Sequence, residues 1–200
     1  VFATVPMIVV MTQSLLGYSA FRTGMVGVPR TLGTVAVTLV LARYMNRIDS
    51  RLILLVGMAL TALSMTYYAE MDLYVDQDTL LYVGFVQGMS GGLVFMPLSV
   101  MVLANLSDKL HNEGAAMFSL TGNLGNAIGL SFLNRELVHF TAASRAHLVE
   151  GIRPDNPMIQ YGMPDFDPSS ASLLAQLDAE ISRQSAMVGN VDIYHLVVIV

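Results

Sequence analysis

Residues 79–107 read TLLYVGFVQGMSGGLVFMPLSVMVLANLS, and not one of them is charged. A run of that length exceeds the ~20 apolar residues that cross a hydrocarbon layer of about 30 Å. Every backbone N–H and C=O inside lipid must be paired within its own segment, so an isolated span has to be an α-helix. This stretch therefore decides the fold class: an all-α membrane protein.

Reading outward, the same pattern recurs. Apolar runs predict helices over about 1–16, 22–44, 52–70, 79–106, 113–135 and 192–200. Val1 and Val200 both lie inside apolar runs, so the first and last helices are expected to be cut and a preceding N-terminal half to be missing. Charged residues make up 12% of the chain, against about 25% in an average soluble protein. There is no Cys, which removes a disulfide framework or a thiolate metal site. The net charge of −5 arises mostly in the loops and gives no reason to expect nucleic-acid binding.

The connections set the expected orientation. Arg43, Arg47 and Arg51 stand against the single acid Asp49 between the second and third runs. Glu70, Asp72, Asp76 and Asp78 lie between the third and fourth, with no Lys or Arg. The positive-inside rule puts the Arg loop in the cytoplasm and the acidic loop outside. Alternation then makes 136–191 an extracytoplasmic loop. Its first part, with Pro154, Pro157, Pro164 and Pro168, reads as irregular. Its second part places Leu173, Leu174, Leu177 and Ile181 on one face, which predicts a short amphipathic helix over about 170–187.

Polar groups inside a membrane are expensive and therefore informative. Arg30 follows Pro29 a few turns inside the second run. It is either a cavity-facing cation that meets a carboxylate or an anionic substrate group, or a side chain that snorkels to the outer interface. Gly84, Gly88 and Gly92 recur every four residues, as do Gly125 and Gly129, and such faces admit close helix packing. Gln87, Asn123 and Asn126 are the amides expected to face a wet cavity, with Phe95 and Met117 as adaptable apolar contacts. The third run is apolar nearly all round and is expected at the lipid-facing periphery. No carboxylate falls within a charge-free run; Glu113, at the start of the fifth helix, fits an N-terminal dipole position.

Gly88-Met89-Ser90-Gly91-Gly92 spells G-x-S-x-G, but in mid-helix rather than at a strand-to-helix turn. It also resembles the G-x-S-G of rhomboid-type intramembrane proteases, for which His195 is the available base. The glycine spacing accounts for the same residues without catalysis, and the expectation is that the chain is not an enzyme and holds neither metal nor cofactor.

Several segments together resemble a known family. Leu16-Gly17-Tyr18-Ser19-Ala20, Gly24 and Pro29-Arg30-Thr31-Leu32-Gly33 come first; RYMNRIDSR over 43–51 follows. Then come Gln87-Gly88, Gly92-Leu93-Val94-Phe95-Met96-Pro97-Leu98, and Asn123-Leu124-Gly125-Asn126-Ala127-Ile128-Gly129. In this order they resemble the C-terminal half of drug:proton antiporters of the major facilitator superfamily, the fourteen-helix EmrB/QacA type. The resemblance implies a C-terminal six-helix bundle exporting drugs or other amphipathic molecules against protons by alternating access. It implies a cavity wall containing Arg30, Gln87, Phe95, Met117, Asn123 and Asn126, and a gating loop of Arg43, Arg47, Asp49 and Arg51. The implied surroundings are the lipid bilayer of a bacterial inner membrane, the missing N-terminal half, a periplasmic adaptor and an outer-membrane channel. Uptake of a metabolite on the same fold is the alternative.

Overall fold

The computed structural model describes residues 4–45, 47–104, 106–151 and 171–199. They are helical: α1 Thr4–Val10, continued by a wider π turn over Met11–Leu15, α2 Ala20–Tyr44, α3 Ser50–Ala69, α4 Gln77–Leu103, α5 His111–Gly151 and α6 Ala171–Ile199. By length and apolar composition, α2, α3 and α4 suffice to cross a membrane, and Thr4–Leu15 is a shorter apolar helix.

The helix starts are chemically marked. Ser19 accepts from the Arg22 N–H at 3.3 Å, Asp49 from the Arg51 N–H at 3.0 Å, and Asp76 from the Gln77 N–H at 2.8 Å. Each pairs a backbone donor that the first helical turn leaves without a partner. Gly17, at φ 67°, makes the left-handed bend before α2 that a Cβ would oppose. Pro29 and Pro97 sit inside α2 and α4, where each removes one backbone N–H from the ladder.

Two boundaries differ from the sequence expectation. α5 does not stop near 135 but runs on to Gly151, so residues 136–151 are helix rather than loop. The amphipathic segment 170–187 and the final span from 192 are one continuous helix, α6. The reason is common to both. Charges such as Arg135, Glu136 and Arg183 limit how far a helix can lie in lipid, but they are good helix formers and do not end the helix itself. The two extensions pack against each other: Gly189 of α6 sits directly on Thr141 of α5, and Arg145 pairs with Asp178. The proline-rich part of the expected loop lies outside the described residues.

The core has two ends. At the acid-loop end, Met11, Leu15, Val26, Met65, Tyr68, Leu80, Val83, Met187 and Tyr194 pack together, with the Tyr68 and Tyr194 rings 5.3 Å apart. At the Arg-loop end, Val37, Leu41 and Ile53 pack against Met89, Leu93 and Met96. α3 has an exposed apolar side (Leu52, Leu55, Val56, Leu63) and a buried one (Ile53, Ser64, Met65, Tyr68). The first suits lipid; the second makes α3 more than the peripheral helix its hydropathy suggests.

Candidate functional site

The site is built on a seam between α2 and α4. Gly88 lies directly on the Arg30 carbonyl, and Gly33 of α2 lies on the Phe85 carbonyl. A Cβ on Gly92 would come within 3.1 Å of the Thr34 oxygen, and one on Gly84 within 3.6 Å of the Val26 oxygen. Thr34 Oγ1 donates to the Gly88 carbonyl at 2.9 Å, an interhelical hydrogen bond with little competition from water. The backbones meet because nothing stands between them.

That close approach carries Arg30 and Gln87 into one concavity of about 500 Å³ between α1, α2 and α4, with Tyr68 of α3 at its edge. Gln87 is fully buried. Its Nε2 donates to Thr4 Oγ1 at 3.1 Å, while its Oε1 has no partner. Arg30 Nε is likewise buried without a partner. Thr12 and Thr23 also line the space, with their hydroxyls 3.4 Å apart. Thr12 donates to the Ile8 carbonyl at 2.9 Å, within its own helix.

The other expected cavity residues lie elsewhere. Phe95, Asn123 and Asn126 line a second concavity of about 590 Å³ between α4 and α5, where Phe95 and Phe118 are 5.5 Å apart between ring centres. Met117 faces a third, of about 470 Å³, with Leu106, Glu113 and Phe118. The six residues expected in one cavity thus divide among three. Asn123 and Asn126 are exposed in this chain, as is most of α5, where Leu133 is the buried residue. Gly125 is open as well: a Cβ there would meet nothing within 4 Å. Gly129 is half-buried.

In the loop expected to gate, Arg43, Arg47 and Arg51 are exposed, and among the described residues none forms an ion pair with Asp49. Asp49 is occupied as the cap of α3. Ser90 is fully buried and donates to the Gln87 carbonyl at 2.8 Å, while His195 is on the exposed side of α6. The protease geometry needs a hydroxyl and an imidazole in reach of each other, with a path for substrate, and this pair does not supply it.

Sequence reasoning missed Tyr68, Thr12 and Thr23. Ser64 and Tyr68, four residues apart on one face of an otherwise apolar helix, were the available signal for α3.

The Major Facilitator Superfamily model matches residues 1–138. The multidrug export protein EmrB of Haemophilus influenzae is 26% identical over 204 residues, an alignment covering 96% of this chain and 39% of that protein. The putative multidrug resistance protein MdtD of Pectobacterium carotovorum is 28% identical, covering 68% of this chain and 28% of that protein. The fatty acid resistance protein FarB of Neisseria gonorrhoeae is 22% identical, covering 96% and 38%. The chain therefore spans less than two-fifths of the length of these relatives.

Proposed function

Because the chain belongs to the Major Facilitator Superfamily, we propose that it forms one half of a proton-coupled exporter of drugs and other amphipathic small molecules. In that role α1–α6 are the six spans of the C-terminal half, with the Arg loop cytoplasmic and the paired extensions of α5 and α6 extracytoplasmic. Two helical halves rock about a midplane site, and each half supplies one wall. The names of the relatives support export and breadth of cargo.

The observation that carries the reading is the open polar face of this bundle. α2 and α4 close on each other along their glycine seam, whereas Asn123, Asn126 and Gly125 stand uncovered on α5. Exposed amides are costly against lipid and favourable against a water-filled cavity. Met117, Phe95 and Phe118 beside them give the deformable apolar contact that suits many ligands. α2 and α3 contain no Asp or Glu, and the one acid of α4 is Asp78 in its first turn. The proton-carrying carboxylate is therefore proposed in the part of the protein that corresponds to the uncovered length of the relatives.

The test is ethidium accumulation in bacteria stripped of their own major exporters and expressing the complete reading frame. Accumulation should fall several-fold and recover when an uncoupler collapses the proton gradient. Unchanged accumulation of every dye tried, or a rise with the gradient intact, would overturn the proposal, and a rise would favour uptake instead.

A further inference from the structure

We propose that Arg183 of α6 is a latch on the end of α1: it holds the π turn in its wide form, and its release lets that turn rewind to α-helix and part α1 from α2. The proposal goes beyond the exporter reading, because it concerns a change of shape in this half whatever the cargo.

The wide turn is the movable piece. The Leu16 N–H reaches back five residues to the Met11 carbonyl at 3.2 Å, and the Tyr18 N–H reaches back six, to the Thr12 carbonyl, at 3.0 Å. Such a turn holds one residue more than the α-helix around it, and π turns are rare outside functional segments. Rewinding removes that extra residue. The outer end of α1 then turns by about 100° and shifts by about 1.5 Å relative to the inner part. Gly17, already at φ 67°, is placed to absorb the change before α2 begins.

The two parts of α1 are fastened to different helices. The inner part is tied to α4, where Gln87 Nε2 donates to Thr4 Oγ1 at 3.1 Å. The outer end is tied to α6. Arg183 Nε donates to the Leu15 carbonyl at 3.1 Å, across 168 residues of chain. The last carbonyls of a helix have no donor of their own, and a cation there also meets the negative end of the helix dipole. Glu180, one turn earlier on α6, lies 3.8 Å from the Arg183 guanidinium and helps to aim it. Below Arg183, Met187 packs in one cluster with Met11 and Leu15, and the Tyr194 hydroxyl lies 3.9 Å from Met11 Sδ. α6 thus clasps the turn at three levels, and of the three Arg183 is the half-exposed, breakable one.

The latch is connected to both sides of the molecule. Arg183 stands on the extension that α5 and α6 build together through Arg145–Asp178 and the Gly189–Thr141 contact. A push on that extension therefore reaches Leu15. On the other side, Thr12 within the turn faces Thr23 of α2 with the hydroxyls 3.4 Å apart, and both line the concavity that holds Arg30 and Gln87. Rewinding carries Thr12 away from Thr23 and opens that wall.

The experiment measures distances in the complete protein in phosphatidylcholine nanodiscs. Residues 1–200 hold no cysteine, so spin labels can be placed at chosen sites once any cysteine elsewhere is replaced by serine. Ser14 in the turn, Val10 just inside it and Tyr82 on α4 are all exposed. Wild type should show one main Ser14–Tyr82 distance. Arg183→Met should raise the share of a second distance about three- to tenfold, the range for a half-exposed charge-assisted bond. Arg183→Lys should return most of the wild-type distribution. Deleting Gln13, which removes the extra residue, should make that second distance the main one. The Val10–Tyr82 distance should stay put in Arg183→Met, because the inner part remains tied to Gln87. A Ser14–Tyr82 distribution that Arg183→Met does not move, even with lowered melting, would mean a merely structural arginine and overturn the proposal. Equal shifts at Ser14 and Val10 would mean that α1 tilts as a rod, and would overturn it as well. If the deletion variant does not fold, the Val10 control alone makes that distinction. No transported dye enters these measurements, so the failure of the exporter reading would leave their outcome standing.

Discussion

The α2–α4 pair and the α5 helix are built from similar materials and end in opposite states. Both carry glycines at four-residue spacing and amides within apolar runs. On α4 those glycines are filled by the carbonyls of α2, and Gln87 is driven out of contact with solvent. On α5 the equivalent glycine meets nothing, and Asn123 and Asn126 are exposed. A glycine ladder is therefore an offer of close approach, and the partner decides whether it becomes a seam or a cavity wall. One seam is complete within this chain, while the face of α5 is left for the other half of the protein or for water.

The comparison breaks most sharply at Gly88. Gly88→Val would drive two methyls into the Arg30 carbonyl, which can yield only if α2 moves as a body. A loss of roughly 3 kcal/mol or more is expected, by backbone displacement and loss of the Thr34 bond together. The complete protein should fail to give a monodisperse peak in detergent. A normal peak with unchanged melting would show that the seam is not tight.

The next effect is smaller and of opposite sign. Gln87→Met keeps the length of the side chain but removes the unpartnered acceptor, at the expense of the Thr4 contact. Stability should rise by about 1 kcal/mol while transport falls, the exchange expected where a buried polar group is retained for function. Thermal melting and dye efflux measured on the same preparation check it, and a simultaneous loss of both would mark Gln87 as structural glue.

At the Arg-loop end, Asp49 separates capping from charge. Asp49→Ala should cost about 1 kcal/mol of stability, since the Arg51 N–H loses its acceptor. Asp49→Asn keeps an equally good cap and should melt like wild type. If Asp49→Asn nonetheless abolishes efflux, the carboxylate acts as a gate in another state of the transporter, and the cap is incidental.

These contrasts also show which features were legible beforehand. Apolar runs predict α2, α3 and α4 to within a few residues, because hydrophobic length is what the bilayer selects. The continuations of α5 to Gly151 and of α6 across 187–192 were hidden for the complementary reason: charge ends a span without ending the helix. The candidate residues themselves were visible as costly polar groups. Their division among three concavities was not, since it depends on how far each helix is rotated about its axis. Tyr68 was masked because hydropathy scores a ring with a hydroxyl as nearly neutral, although it is buried with Arg30 beside the same space.

The smallest expected effect sharpens the comparison furthest. Gly125→Ala adds one methyl where this chain leaves more than 4 Å of room. If α5 faces a water-filled cavity, melting of the complete protein should change by no more than ~0.5 kcal/mol, the range of substitutions that touch nothing. If the other half presses a helix onto α5 as α2 presses onto α4, the same methyl would meet backbone and cost several times as much. A paired measurement with Gly88→Ala removes the ambiguity of scale, because the Gly88 methyl has nowhere to go in either case. A large effect at Gly88 beside none at Gly125 means that the ladder on α5 is there to keep a wall open. Equal effects mean that α5 is a second seam, and that Asn123 and Asn126 hold two halves together rather than meeting cargo.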